Sequence, residues 1–184
     1  MTTEEIANTF QIRRLGKGDK VFSFDFGDED LNDFLLNESP FYRQARLAVT
    51  YVIEEKGTNH VVGFFSLAND CISISDFESK TDFNRFRKKR FINEKRLKSY
   101  PAAKICRLGV DLSARGKTLG TFILDFIKSY FVIDNKTGCR FITVDAYVEA
   151  VPFYLKNNFL FLSSENGGDE HTKLLFFDLE GIEE

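Results

Sequence analysis

The chain has 184 residues, 43% of them hydrophobic, with 21 phenylalanines, no tryptophan and a formal net charge of −3. That length suits one domain with a sizeable core, and the acidic balance argues against a surface coated all over for nucleic acid. No apolar run reaches the roughly eighteen residues of a membrane span, and MTTEEIANTF lacks a basic start and an apolar stretch, so a cytoplasmic chain without membrane contact is expected.

Residues 1–9 are polar and read as a loose lead-in. Phe10 to Leu15 reads as a first strand and Gly16 to Asp19 as a turn, while Phe22 to Phe26 alternates like a short strand. Gly27-Asp28-Glu29-Asp30 has the acids of a helix first turn, with Leu31, Phe34 and Leu35 on the buried face. Ser39-Pro40 is a good N-cap and N1 pair for a second short helix, Pro40 to Arg46. Ala48 to Glu54 is a strand, Gly57 marks a turn, and His60 to Leu67 pairs back as a hairpin. Val61, Val62, Phe64, Phe65 and Leu67 suit burial on both faces, Cys71 to Ile74 extends the region, and His60 reads as a surface residue. Three cysteines, Cys71, Cys106 and Cys139, are widely spaced and the chain has two histidines, so buried reduced thiols are expected rather than a metal site or disulfides.

Residues 77–100 are unusual. From Arg85 to Lys98 there are eight basic residues against one acid. Phe83, Phe86, Arg90, Phe91 and Leu97 could form an apolar side, which predicts one or two amphipathic helices inserted before the next strand. A solvated basic face, RNA docking through 85–98 and contact with an acidic partner all fit this run.

The stretch Lys104 to Asp134 organises the rest. Ile105 to Val110 reads as a buried strand, Asp111 to Lys117 as a polar loop, and Leu119, Phe122, Ile123, Phe126, Ile127, Tyr130 and Phe131 as one helix face. Strand, glycine-bearing loop and helix N-terminus together make an anion site, because the first N–H groups of a helix are unbonded and its dipole is positive there. Arg115 and Lys117 add charge. Beyond it come a strand from Arg140 to Ala146, a short helix from Tyr147 to Asn157, strands Phe159–Leu162 and Lys173–Leu179, and a polar loop joining these last two. The order predicts a single domain over 1–184 of the α/β (α+β) class, a mixed twisted sheet of six to seven strands flanked by helices.

Gly116-Lys117-Thr118 matches the tail of a nucleotide-binding P-loop, with Asp145 as a magnesium-holding residue, but Asp111 stands where that pattern needs glycine. Arg115 to Gly120, RGKTLG, resembles instead the acetyl-CoA signature [QR]-x-x-G-x-[GA] of the GNAT family of N-acetyltransferases, with Thr118 replacing the middle glycine. Ala150 to Phe159, AVPFYLKNNF, resembles the same family's A-x-x-F-Y-x-x-x-G-F segment, with Asn158 replacing glycine; Asn tolerates a left-handed backbone. Asp30 to Leu35 is similar to the first helix of a GNAT subgroup that includes toxins acetylating charged tRNA.

The resemblance implies acetyl-CoA as cosubstrate and no metal. It implies that acetyl-CoA enters where the central strand and the strand starting near Phe141 part, held by Leu108, Gly109, Val110, Arg115, Gly116, Lys117, Thr118, Leu119 and Gly120. Tyr154, in the F-Y motif, would give the departing thiolate its proton or hydrogen bond, and a backbone N–H near Val110 would stabilise the oxyanion. Phe34, Tyr42 and Arg107, with Phe41 and Arg43 nearby, would face the acceptor, and the basic run could also meet the 3′-phosphate of coenzyme A. Asp70, Asp111, Asp145 and Glu149 are the base candidates. The expected function is acetyl transfer to a primary amine of unspecified acceptor by direct attack on the thioester, with a small-molecule or peptide amine as the expected partner; toxin-type transfer to aminoacyl-tRNA, a non-catalytic acetyl-CoA or RNA-binding module, and a P-loop protein stand as alternatives, and a homodimer is an open expectation.

Overall fold

The computed structural model describes residues 2–91, 97–116, 118–133, 135, 137–162 and 170–182. Its strands are β1 (Phe10–Arg14), β2 (Val49–Glu55), β3 (Val61–Ser73), β4 (Ser99–Val110), β5 (Phe141–Tyr147), β6 (Leu160–Phe161) and β7 (Thr172–Asp178), in the sheet order β1-β2-β3-β4-β5-β7-β6. The helices are α1 (Thr3–Thr9), α2 (Glu29–Asp33), α3 (Ser39–Gln44), α4 (Lys80–Arg90), α5 (Leu119–Val132) and α6 (Val151–Lys156). The chain divides into two compact units, Met1–Ala68 with Ile105–Ile127, and Asn69–Lys104 with Lys128–Glu184.

In the first unit β1, β2 and the start of β3 form an antiparallel meander, its register shifted by a bulge between Ile53 and Glu54. The end of β4 joins them through the Asp111 N–H, which donates to the Val62 carbonyl. Val52, Ile53, Phe64 and Phe65 are fully enclosed, so these strands are apolar on both faces. Phe24 packs edge-on against Phe64 at 5.3 Å and Phe34 lies nearly parallel to it at 6.1 Å. Each such ring stabilises the fold by about 1.5–3 kcal/mol relative to exposure.

Three local expectations are corrected here. Residues 3–9 form α1, because Thr2 and Glu5 make a reciprocal capping box and Ile6 is buried beneath it. The segment Phe22 to Phe26 is not a strand: its backbone is tied to the Asp111 carboxylate and to Asn32, which sends Phe24 inward and leaves Phe22 outside. Ser39 does not cap a helix. A π-helical turn, Phe34–Glu38, carries α2 on into α3, and the Ser39 hydroxyl donates to the Leu35 carbonyl.

In the second unit the start of β4 runs parallel to β5, with Arg140 N–H bonding Pro101 O and, further along, Lys104 paired with Asp145. β5 is antiparallel to β7, and β7 to the short β6. The basic insert supplies one described helix, α4, capped by Ser79; residues 92–96 of the basic run lie outside the described residues. Phe83 and Phe86 fix it, Phe86 meeting Phe141 at 5.6 Å and Phe176 at 5.3 Å. Cys71 is exposed rather than buried, and Cys106 and Cys139 are half-buried free thiols. The antiparallel β1–β2–β3 arrangement is unlike the parallel sheet a P-loop protein needs, so that alternative falls. Among the described residues no helix is long and apolar enough to cross a membrane.

Candidate functional site

The loop of the first unit begins where β4 ends. Leu108 and Val110 are half-buried, and Gly109 lies against the enclosed Phe64 ring: a Cβ there would sit 2.8 Å from Phe64 Cε1. Asp111 follows, buried, its carboxylate accepting from Asp25 N–H at 2.9 Å, Ser113 N–H at 2.9 Å and Ser113 hydroxyl at 2.6 Å. Burial alone would raise its pKa; the bonds from Ser113 and Asp25 outweigh that and hold it below the usual carboxylate range. A carboxylate so occupied is a turn-former and a poor base.

Arg115 comes next, its guanidinium bonded to the Phe26 carbonyl and lying 4.8 Å from the Phe26 ring. Gly116 (φ +75°) has open space around its Cα, and Thr118 is exposed with φ +60°. Lys117 lies outside the described residues. The Thr118 carbonyl accepts from Phe122 N–H, so α5 starts directly after it with Leu119 buried and Gly120 in the first turn. Positive φ at Gly116 and Thr118 comes directly before a helix of 14 residues, and the start of such a helix, with its unbonded N–H groups and positive dipole end, favours an anion.

Thr118, where the motif has glycine, thus holds a left-handed conformation, a costly state for a β-branched residue. Thr118→Gly is expected to stabilise by about 1 kcal/mol, a Tm rise of about 2–4 °C in thermal unfolding; a lower Tm would show the strain to be absent.

The tyrosine helix belongs to the second unit. α6 begins with Pro152 in its first turn and ends at Asn157–Asn158. Asn158 has φ +66°, and Phe159 N–H returns to the Tyr154 carbonyl at 3.1 Å, so asparagine does take the glycine position of a helix C-terminus. Tyr154 is buried, its ring edge-on to Phe153 and Phe159. Burial pushes its phenol well above the usual tyrosine range, which keeps the hydroxyl protonated through neutral pH.

Sequence reasoning missed one residue here. Lys128 on α5 is buried, its ammonium donating to the Asn157 carbonyl at 3.0 Å and lying 4.5 Å from the Phe177 ring. It therefore braces the carbonyl end of the helix that carries Tyr154, where a cation is favoured. Its signal was a lysine four residues after Leu124, on a helix face otherwise apolar. Lys128→Met should leave that carbonyl unbonded and cost about 1.5–3 kcal/mol in chemical denaturation; an unchanged midpoint would contradict the brace.

The residues expected on the acceptor side meet in the first unit, with one correction. Phe34 is a core side chain at 3% exposure, not a surface for substrate. Tyr42 packs on it at 5.4 Å and remains open to solvent; Phe41 is more exposed still. Arg107 lies over the same ring at 5.3 Å, bonded to the Cys106 carbonyl and 3.9 Å from Asp30. Its charge is met by ring face, carbonyl and carboxylate. Arg43 bonds Ser39 and the Asp19 carbonyl. Of the remaining base candidates, Asp145 pairs with Lys104 at 2.5 Å, Asp70 accepts from the Thr143 hydroxyl, and Glu149 is exposed on a turn.

No protein-family model matches the sequence. Solved structures do. A tyrosine-to-phenylalanine mutant of KacT is 22% identical with a TM-score of 0.73, over 93% of this chain and 95% of that one. AtaT complexed with acetyl-methionyl-tRNAfMet is 21% identical with a TM-score of 0.69, over 92% and 94%. AtaTR bound with acetyl-CoA is 21% identical with a TM-score of 0.72, over 94% and 95%. The order of elements, the seven-stranded mixed sheet and these likenesses agree: the chain has the GNAT fold, in the form found in KacT and AtaT.

Proposed function

We propose that this chain is an acetyl-CoA-dependent N-acetyltransferase whose acceptor is the α-amino group of an aminoacyl-tRNA. The observation that carries the reading is the likeness, over nearly the whole chain, to AtaT complexed with acetyl-methionyl-tRNAfMet, supported by the positive φ of Gly116 and Thr118 just before α5. AtaTR bound with acetyl-CoA supports the same cosubstrate.

The chemistry follows from the side chains. The pyrophosphate rests on the N–H groups of Gly116, Thr118, Leu119 and Gly120, and Arg115 adds positive charge beside them. The acceptor nitrogen attacks the thioester carbonyl, the carbon–sulfur bond breaks, and the amine proton passes to the sulfur. Tyr154 supports that last step as a hydrogen-bond donor: a phenol with its pKa raised holds its proton and does not act as the base.

The state of the carboxylates favours an α-amine over a lysine. Asp111, Asp145 and Asp70 are each engaged by a partner within the fold. An α-amino group, with a pKa of about 7.7–8.0, is about half to two-thirds neutral near pH 8 without help, whereas a lysine near 10.4 is almost wholly protonated. With three of the four candidate carboxylates engaged and Glu149 exposed on a turn, a weakly basic amine suits the protein better than a lysine.

Calorimetric titration with acetyl-CoA, with ATP and magnesium as the comparison ligand, tests the cosubstrate. Saturable binding of acetyl-CoA alone, followed by transfer of labelled acetyl to a charged tRNA pool and not to free lysine, is the expected result. Binding of neither ligand would contradict the reading.

A further inference from the structure

The basic run is not absorbed by the chemistry above, and the structure sorts its charges. Arg90 lies between the Phe86 and Phe176 rings and pairs with Asp178 at 3.1 Å, so it belongs to the core edge. Arg85 pairs with Asp82 one turn back on the same helix. Lys80, Lys88 and Lys98 are exposed and form no ion pair among the described residues. With Arg87 they line one groove of about 680 Å³ between α4 and the approach to β4, floored by Phe83. Arg87 lies over the Phe83 ring at 5.7 Å, and its Nε is buried there with no hydrogen-bond acceptor among the described residues.

We propose that this groove binds the sugar-phosphate backbone of the acceptor RNA, an inference that rests on the aminoacyl-tRNA reading and gives that acceptor its docking surface. The whole chain is net −3, while the segment 85–98 carries eight basic residues against one acid, so the remainder of the protein is strongly acidic. A polyanion approaching such a molecule is repelled over most of it and attracted here. Phosphate oxygens suit this lining: the Arg87 guanidinium and the ammoniums of Lys80, Lys88 and Lys98 offer positive charge to successive phosphates along the strand. Lysine is depleted in the centre of protein–protein contacts, which makes a backbone of phosphates a better occupant than an acidic protein. Phe83 is enclosed and offers no face for base stacking, so binding here is independent of base sequence.

The test is direct binding of deacylated tRNA to the full chain, by fluorescence anisotropy over a range of salt. The comparison variant carries Lys80→Ala, Lys88→Ala and Lys98→Ala, all at exposed positions, and circular dichroism and acetyl-CoA affinity report whether it is folded. Each lost phosphate contact flattens the plot of log affinity against log salt by about 0.7–0.9, so the triple variant should lose about two units of slope and at least tenfold in affinity near 0.1 M salt. Unchanged tRNA affinity and slope would overturn the proposal. Loss of binding to polyglutamate with tRNA binding intact would assign the groove to an acidic protein and overturn it equally. Acetyl transfer is measured separately: tRNA binding that depends on the three lysines, without acetylation of charged tRNA, would remove the functional reading and leave the groove standing.

Discussion

Tyr154→Phe should lower kcat by about 10²–10³-fold while leaving acetyl-CoA affinity unchanged, the loss expected of a single proton-handling group. The hydroxyl is the only atom removed. The ring stays in its site against Phe153 and Phe159, so the fold and the bend at Asn158 are preserved. The predicted split between kcat and affinity separates this role from packing, because the loop before α5, proposed above for acetyl-CoA, lies in the other unit of the chain. Burial raises the phenol's pKa, so the protonated form persists well above neutrality. The wild-type rate should consequently rise with pH as the acceptor amine loses its proton, with no fall assignable to Tyr154 before about pH 10. A kcat within twofold of wild type would assign Tyr154 to packing alone.

Gly109→Val is expected to destabilise the protein by more than about 3 kcal/mol, a Tm fall of about 6–12 °C, and to abolish acetyl-CoA binding. The first carbon of any side chain at Gly109 would sit 2.8 Å from Phe64 Cε1 and 3.3 Å from Phe26 Cδ2. Phe64 is fully enclosed between Phe24 and Phe34 and has nowhere to move. The strand end must shift instead, carrying with it Val110 and the Asp111 turn on which the loop is built. Gly109→Ala should show a smaller fall of the same sign. Thermal unfolding of both variants with an acetyl-CoA titration checks this, and a wild-type Tm for Gly109→Val would contradict it.

What the sequence revealed, and what it concealed, follows from the range of the interactions involved. The strands β2, β3 and β5 announce themselves because period and β-branched composition are local. The turn at Asn158 could likewise be read, since a small amide at the end of an apolar helix has one common use. Helix α1 was concealed in a polar run, where a capping box three residues apart outweighed composition. Phe22 to Phe26 has the alternation of a strand, yet Asp111, 86 residues away, sequesters the Asp25 N–H and bends the segment out of any sheet. Arg107 is a charge within the otherwise apolar run Ile105 to Val110. Its partners, Asp30 and the Phe34 ring, come from a helix more than seventy residues earlier. Partners distant in sequence likewise concealed the duties of Lys128, whose partner Asn157 is 29 residues on, and of the basic run, of which Arg90 proved to be a core-edge residue and Lys88 a surface one.

The most direct test of acetyl transfer to aminoacyl-tRNA is the chemical identity of the product. Charged tRNA is incubated with the protein and acetyl-CoA, digested with nuclease, and the terminal aminoacyl-adenosine is analysed by mass spectrometry. The account predicts a gain of one acetyl group on the α-amino nitrogen, dependent on acetyl-CoA and lost with Tyr154→Phe. Unmodified aminoacyl-adenosine from every charged tRNA, with acetyl-CoA binding intact, would contradict it.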